Sequence, residues 1–388
     1  MAKQGPRTVT FLLSGSGAVP VGGFKVAYEY ANGLADRGWK VRVVHPRILS
    51  ADEIDSLRSS AFLRTRRWLG HQRSRLTGDF RPDRWFQVSP NVELLCTKSL
   101  EPRFLPSSDA WVATFWDTAT WATTLPGAKL YLIQHLETWC GPEQAVMATW
   151  KLPLHKVVIS RWLEDVAHDL GESSDYIPNG LDFKTFGIDV RPEDRHANTV
   201  AMLYHHSDWK GSADGLKAIY EVKAKIPELK VRFFGLPARP HGLPEWVEYY
   251  QNPPQGKLRE IYNWAAVFIS PSWAEGWPLP PAEAIQCGAA LVATDIGGHR
   301  EYAIHTETAL LSPAKCPSAL AANVTRLLED PETRVRLAKG GNKHIQQFTW
   351  DRAVTSFELV LNRALTAAVE HRDDRTDLQL PTALEKSL

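Results

Sequence analysis

Short apolar runs alternate with amphipathic stretches along most of this chain, a rhythm that predicts strands and helices in turn and a parallel sheet. Thr8 to Leu13 reads as a first strand, and Val26, Tyr30 and Leu34 mark the buried face of a helix from about Phe24 to Arg37 that ends at Gly38. Val41 to Val44 supplies the next strand. The runs at 92–95, 110–114, 130–133 and 155–160 are each short enough for a buried parallel strand. The charged stretch Asp189 to Asn198 is nearly free of apolar residues and reads as a linker, after which strands are expected at 199–204, 231–234 and 247–250. From Tyr302 a loop to Pro313 is expected, then helices at 318–328, 331–340 and 350 to about 370.

The most informative stretch runs from Ala265 to Tyr302. Ala265 to Ile269 is a buried strand stopped by Ser270-Pro271, and the loop beyond it holds Glu275. Pro280-Pro281 suit the first turn of a helix, so Glu283 lies in that turn, and Gly288 caps the end. A second strand, Ala289 to Ala293, runs into Asp295-Ile296-Gly297-Gly298. The carboxyl ends of strands in an open parallel sheet form the crevice where ligands bind. Helix starts there attract diphosphates, and flanking carboxylates accept hydrogen bonds from sugar or ribose hydroxyls.

The run Ser-Pro-Ser, Glu-Gly-Trp, Leu-Pro-Pro-x-Glu-Ala and Cys-Gly-x-x-Leu-Val-Ala-Thr-Asp-x-Gly-Gly resembles the E-x7-E region of the retaining GT-B glycosyltransferases of family 4. Tyr176 to Asp182 (YIPNGLD) resembles the same family's turn at the domain border. The resemblance covers nearly the whole chain and implies a GT-B α/β fold, two Rossmann-like domains facing a deep cleft. Residues 1–188 would form the acceptor-side domain and 189–350 the nucleotide-sugar domain. A helix at 351–370 would cross back, and 371–388 would be a disordered tail.

The resemblance further implies that Glu275 contacts the donor sugar and Glu283 the ribose, with Gly276, Trp277 and Leu279 beside them. His135, just past a strand, would touch the donor sugar, and Gly22-Gly23 would face the donor across the cleft. The base would be read near Gly235. Lys210, ahead of a helix start, is expected to hold the diphosphate, and His205 and His206 stand where the family usually has an arginine. That leaves one permanent positive charge, which a histidine could share. Pro278 stands where the family usually has glycine, removing a backbone N–H.

Gly15 and Gly17 do not complete a dinucleotide fingerprint, because Pro20 holds the third glycine position and no acid closes the second strand. Composition adds exclusions. A net charge of +1 and 44% hydrophobic residues describe a globular protein with no global pull toward nucleic acid. Four cysteines lack metal or disulfide spacing, and no Asp-x-Asp pair stands ready to chelate a metal. The expected chemistry is therefore metal-independent, with no cofactor beyond the nucleotide-sugar. No apolar run is long enough for a signal or membrane segment, so a cytoplasmic protein is expected.

One segment breaks the rhythm. Between Ser50 and Pro90, eight arginines from Arg58 to Arg84 face only Asp79 and Asp83 after Asp55. This basic insert is either a solvated face or a contact for an anionic acceptor or membrane surface, with Arg64, Arg66 and Arg67 its densest part. The function implied is retaining sugar transfer from a nucleotide-sugar to a glycan or lipid-linked hydroxyl. The alternatives are another GT-B enzyme, an epimerase or phosphorylase, and a catalytically weak binding protein.

Overall fold

The computed structural model describes residues 6–49 and 77–377. Seven parallel strands form the first sheet: Thr8–Leu12 (β1), Lys40–Pro46 (β2), Val92–Thr97 (β3), Ala110–Ala113 (β4), Ala128–Ile133 (β5), His155–Val158 (β6) and Ser174–Tyr176 (β7). Their order is β3-β2-β1-β4-β5-β6-β7. The second sheet holds Thr199–Leu203 (β8), Lys230–Gly235 (β9), Val247–Gln251 (β10), Val267–Ser270 (β11), Ala290–Thr294 (β12) and Ala309–Ser312 (β13), in the order β10-β9-β8-β11-β12-β13. The structure thus has the two Rossmann-like α/β domains expected from the alternating pattern. β11 and β12 are buried at every position, because helices cover both faces of the sheet and leave no polar side to alternate with.

The last helix, Trp350–Asp377, runs past the expected end at 370. It packs on the first domain: Phe357 lies 4.6 Å from the Tyr30 ring and 6.0 Å from Phe11. Arg37 pairs with Asp351 at 2.8 Å and with Glu358 at 3.0 Å.

Two edge strands differ from expectation. Ala309–Ser312 pairs in parallel with β12 where a loop was expected, and Ser174–Tyr176 adds to the open edge of the first sheet. Both are short; β7 has no fully buried residue, so pairing rather than hydrophobic pattern makes it a strand, whereas Ala309–Ser312 is a largely buried run of only four residues. Trp85 and Phe86 pack near Tyr28, 5.9 and 5.4 Å between rings, as core rather than as a sugar platform. Arg64, Arg66, Arg67 and most of the basic insert lie outside the described residues. So do residues 378–388.

Candidate active site

The site begins where β11 ends. Ser270 is tied through its Oγ to His299 Nε2 at 2.8 Å, and the Thr294 hydroxyl donates to the Ser272 carbonyl. The loop that follows is therefore held from below by β12 and its exit. Within it, Ser272 Oγ donates to Glu275 Oε1 at 2.8 Å. Lys210 Nζ reaches both oxygens of the same carboxylate, at 2.8 and 2.9 Å. Glu275 is 7% exposed. Burial alone would raise its pKa, but Lys210, with help from Ser272, holds it below the ordinary carboxylate value.

Lys210 is placed by backbone geometry. It closes a short 3-10 turn, Asp208–Lys210, and Gly211 then takes a left-handed φ of 66°. A side chain at Gly211 would put its Cβ 2.0 Å from the Pro271 carbonyl oxygen, so only glycine lets this turn touch the β11 loop. The Trp273 N–H donates to the Trp209 carbonyl at 2.7 Å and locks the two loops together.

Glu283 sits in the helix Leu279–Gln286 and is 6% exposed. It accepts from Tyr262 Oη at 3.1 Å and, across the cleft, from Lys25 Nζ at 2.8 Å. Lys25 belongs to the first domain's helix Gly22–Asp36. Burial lowers its pKa, yet Glu283 more than offsets this and the ammonium is held above its ordinary value. Lys25 is a residue that sequence reasoning missed. The available signal was a cation in the first turn of a helix, where the dipole disfavours it.

Removing one partner of a buried pair leaves an uncompensated charge at a cost of about 3–5 kcal/mol. Lys25→Met is accordingly expected to lower stability by about 3 kcal/mol, and Lys25→Met combined with Glu283→Gln to recover much of that loss. Urea unfolding of the double-mutant cycle checks this. Strictly additive single effects would show that the two side chains do not interact.

His135 lies just past β5 and beside the Lys210–Glu275 pair. Its Nδ1 accepts the Leu136 N–H at 2.8 Å, while Nε2 is buried toward the Ala274 backbone without a well-formed hydrogen bond. Burial pushes its pKa down to about 4 against the field of Glu275, so the ring is neutral. His205 Nδ1 accepts the Ser207 N–H at 3.0 Å, and burial, then Lys210, lower its pKa too. A further cation, Lys25, comes to the site from the opposite domain. His206 instead meets the Tyr204 ring edge-on at 5.7 Å.

The remaining expected residues divide. Gly22 begins its helix with no side-chain cap; the Phe24 and Lys25 N–H groups donate to the Val21 carbonyl, which leaves those of Gly22 and Gly23 outside the helix's own bonding, and Gln134 Nε2 donates to the Gly23 carbonyl at 3.2 Å. Gly235 ends β9, and its carbonyl accepts the Asn252 N–H at 2.7 Å. Gly276 is one point where the domains touch: a Cβ there would lie 1.8 Å from the Gln134 carbonyl oxygen. Trp277 is a correction, because its side chain is 4% exposed and packs on Tyr302 at 4.9 Å and Phe348 at 5.5 Å. It is core, as is the Leu279 side chain at the helix start. Tyr302 Oη donates to the Pro278 carbonyl at 2.9 Å, fixing the chain where it enters that helix. Among the described residues no group of three or more His, Cys, Asp or Glu is placed to hold a metal.

Residues 188–344 match the family model of the glycosyl transferases group 1. The matched region contains Lys210, Glu275 and Glu283, while Lys25 and His135 lie outside it. The D-inositol 3-phosphate glycosyltransferase of Corynebacterium efficiens is 27% identical over 187 residues, covering 44% of each chain. That of Thermomonospora curvata is 35% identical over 113 residues, 29% of this chain and 26% of its own. The chain thus spans less than half the length of these curated relatives.

Solved structures show the same fold over nearly the whole molecule. Sucrose-phosphate synthase from Thermosynechococcus elongatus aligns with a TM-score of 0.72 at 17% identity, covering 93% of this chain and 100% of that one. HepE from Anabaena, solved with UDP-glucose, gives 0.68 at 15% identity, over 92% and 99%. The matched region therefore forms the second Rossmann-like domain of a GT-B fold, with the Lys210–Glu275 pair at the carboxyl end of β11.

Proposed function

We propose that this protein transfers a glycosyl group from a nucleoside-diphosphate sugar to an acceptor hydroxyl. The observation that carries the reading is the Lys210–Glu275 pair, buried at the end of β11 in a region matching the glycosyl transferases group 1. A donor whose diphosphate takes Lys210 leaves Glu275 free to accept hydrogen bonds from sugar hydroxyls. Glu283, inside the helix that follows the Glu275 loop, would accept from a ribose. A UDP-sugar is the favoured donor, since HepE was solved with UDP-glucose and the pneumococcal O-GlcNAc transferase GtfA, TM-score 0.68 at 9% identity, with UDP and GlcNAc.

The reaction is proposed to retain configuration and to need no metal. In a front-side displacement a donor phosphate oxygen takes the acceptor proton while Lys210 and the open N–H groups at Gly22-Gly23 stabilise the departing diphosphate. Neutral His135 provides a hydrogen-bonding group next to Glu275 rather than a charge. The acceptor is proposed to carry an anionic group that the basic insert holds.

Incubation with UDP-, GDP- and dTDP-sugars, scored for nucleotide diphosphate release and product anomer, tests all of this. A UDP-sugar is expected to turn over, unaffected by EDTA, with acceptor affinity falling as salt rises and donor affinity changing less. An epimerase would return a changed nucleotide-sugar, and a binding protein would titrate with UDP but release nothing. Either result, or an inverted product, would displace the corresponding part of the reading.

A further inference from the structure

Beside the Lys210–Glu275 pair stands an aromatic wall that the donor chemistry leaves unused. Trp139, on the loop beyond β5, is 47% exposed. Trp209, from the other domain, lies 5.0 Å away with its ring inclined by 33°. Both rings are held. His135 meets Trp139 edge-on at 4.1 Å and 86°, and also touches Trp209 at 5.6 Å. The Trp209 carbonyl accepts the Trp273 N–H, and Lys210 Nζ sits 4.3 Å over the Trp209 ring. A tryptophan fixed in this way offers a large contact area at little entropic cost.

An exposed indole face is apolar yet carries negative quadrupole density, which suits the weakly positive C–H groups on one face of a pyranose. The border of the patch argues the same way. Lys210, paired with Glu275, lies over the Trp209 ring and His205 stands 6.4 Å from it, a polar edge that suits a hydroxylated ring better than a lipid chain. We propose that Trp139, backed by Trp209, is an acceptor subsite that stacks the C–H face of a neutral pyranose next to the bond being formed. This rests on the transfer reading above and names the acceptor class: a glycan or glycoside whose reactive sugar is a pyranose.

The test uses the full-length protein with saturating UDP and, as probes, methyl β-D-glucopyranoside, methyl α-D-mannopyranoside, cellobiose and myo-inositol 1-phosphate. Saturation-transfer NMR is expected to show at least one pyranoside bound, with the strongest saturation on the protons of one ring face. Trp139→Ala should weaken that pyranoside on the order of 10-fold, and Trp139→Phe less, with UDP affinity by calorimetry unchanged in both. A normal UDP titration with no pyranoside bound, with binding only of the inositol phosphate, or with equal binding by Trp139→Ala, overturns this inference alone. Failure of the wild type to bind any nucleoside diphosphate, UDP, GDP or dTDP, would overturn the transfer reading as well.

Discussion

Glu275→Gln is expected to cut sugar transfer by about 100- to 1000-fold while leaving UDP binding intact or tighter, the size of effect seen when one preorganised polar group is lost from an active site. The asymmetry follows from the pairing. Lys210 gives both of its short contacts at this site to the Glu275 carboxylate. The amide keeps the side chain's shape and its bond from Ser272, but no longer neutralises the ammonium. A diphosphate then meets a lysine with no competing counter-ion, whereas the donor sugar loses its charged acceptor. Single-turnover transfer and UDP calorimetry separate the two effects. Wild-type turnover would remove Glu275 from the mechanism, and a parallel loss of UDP affinity would mean that the substitution had collapsed the loop.

Lys210→Met attacks the same pair from the other side, and its signature is in pH. In the wild type, Glu275 is held below its ordinary pKa of 4.5, so the stability it contributes is present above that value and is lost as pH falls through the lower folded one. Without Lys210 the burial of Glu275 is opposed chiefly by Ser272, and its folded pKa moves above the ordinary value. The sign then reverses: the variant's deficit is small where the carboxyl is protonated and grows as pH rises. Urea unfolding should therefore show a larger loss at pH 8 than at pH 5, approaching about 3–5 kcal/mol if the charge is kept. Donor kcat/KM should fall by roughly 10- to 150-fold, the loss of a charge-assisted hydrogen bond of about 1.5–3 kcal/mol. An equal stability deficit at both pH values would show that Glu275 does not depend on Lys210.

Much of the second domain was legible because its signals are local. A strand at Ala265 to Ile269, a helix from Pro280 and a strand from Ala289 match Val267–Ser270, Leu279–Gln286 and Ala290–Thr294 within a residue or two. Proline punctuation and buried apolar runs act over a few residues. The edge strands were not legible, since Ser174–Tyr176 has no buried residue to mark it and the apolar run of Ala309–Ser312 is only four residues long. Trp277 shows a different limit. A tryptophan after Glu-Gly reads equally well as lining or as core, and it is the packing of Tyr302 and Phe348 around it that makes it core.

The sequence by itself determined the alternation of strands and helices, the two carboxylates at a strand end and in the next helix, and the lone lysine ahead of a helix start. Only the tertiary structure decided how those charges are satisfied. Lys25 and Glu283 stand 258 positions apart, and Lys210 and Glu275 stand 65 apart, so no local pattern joins them. Gly276 lets the Gln134 carbonyl come close enough to bring His135, Trp139 and Lys25 over the second domain's site. The physical reason is range: backbone preference and hydrophobic period are written within a turn or a strand. Ion pairing and ring contacts across a cleft depend on where two separately folded sheets come to rest.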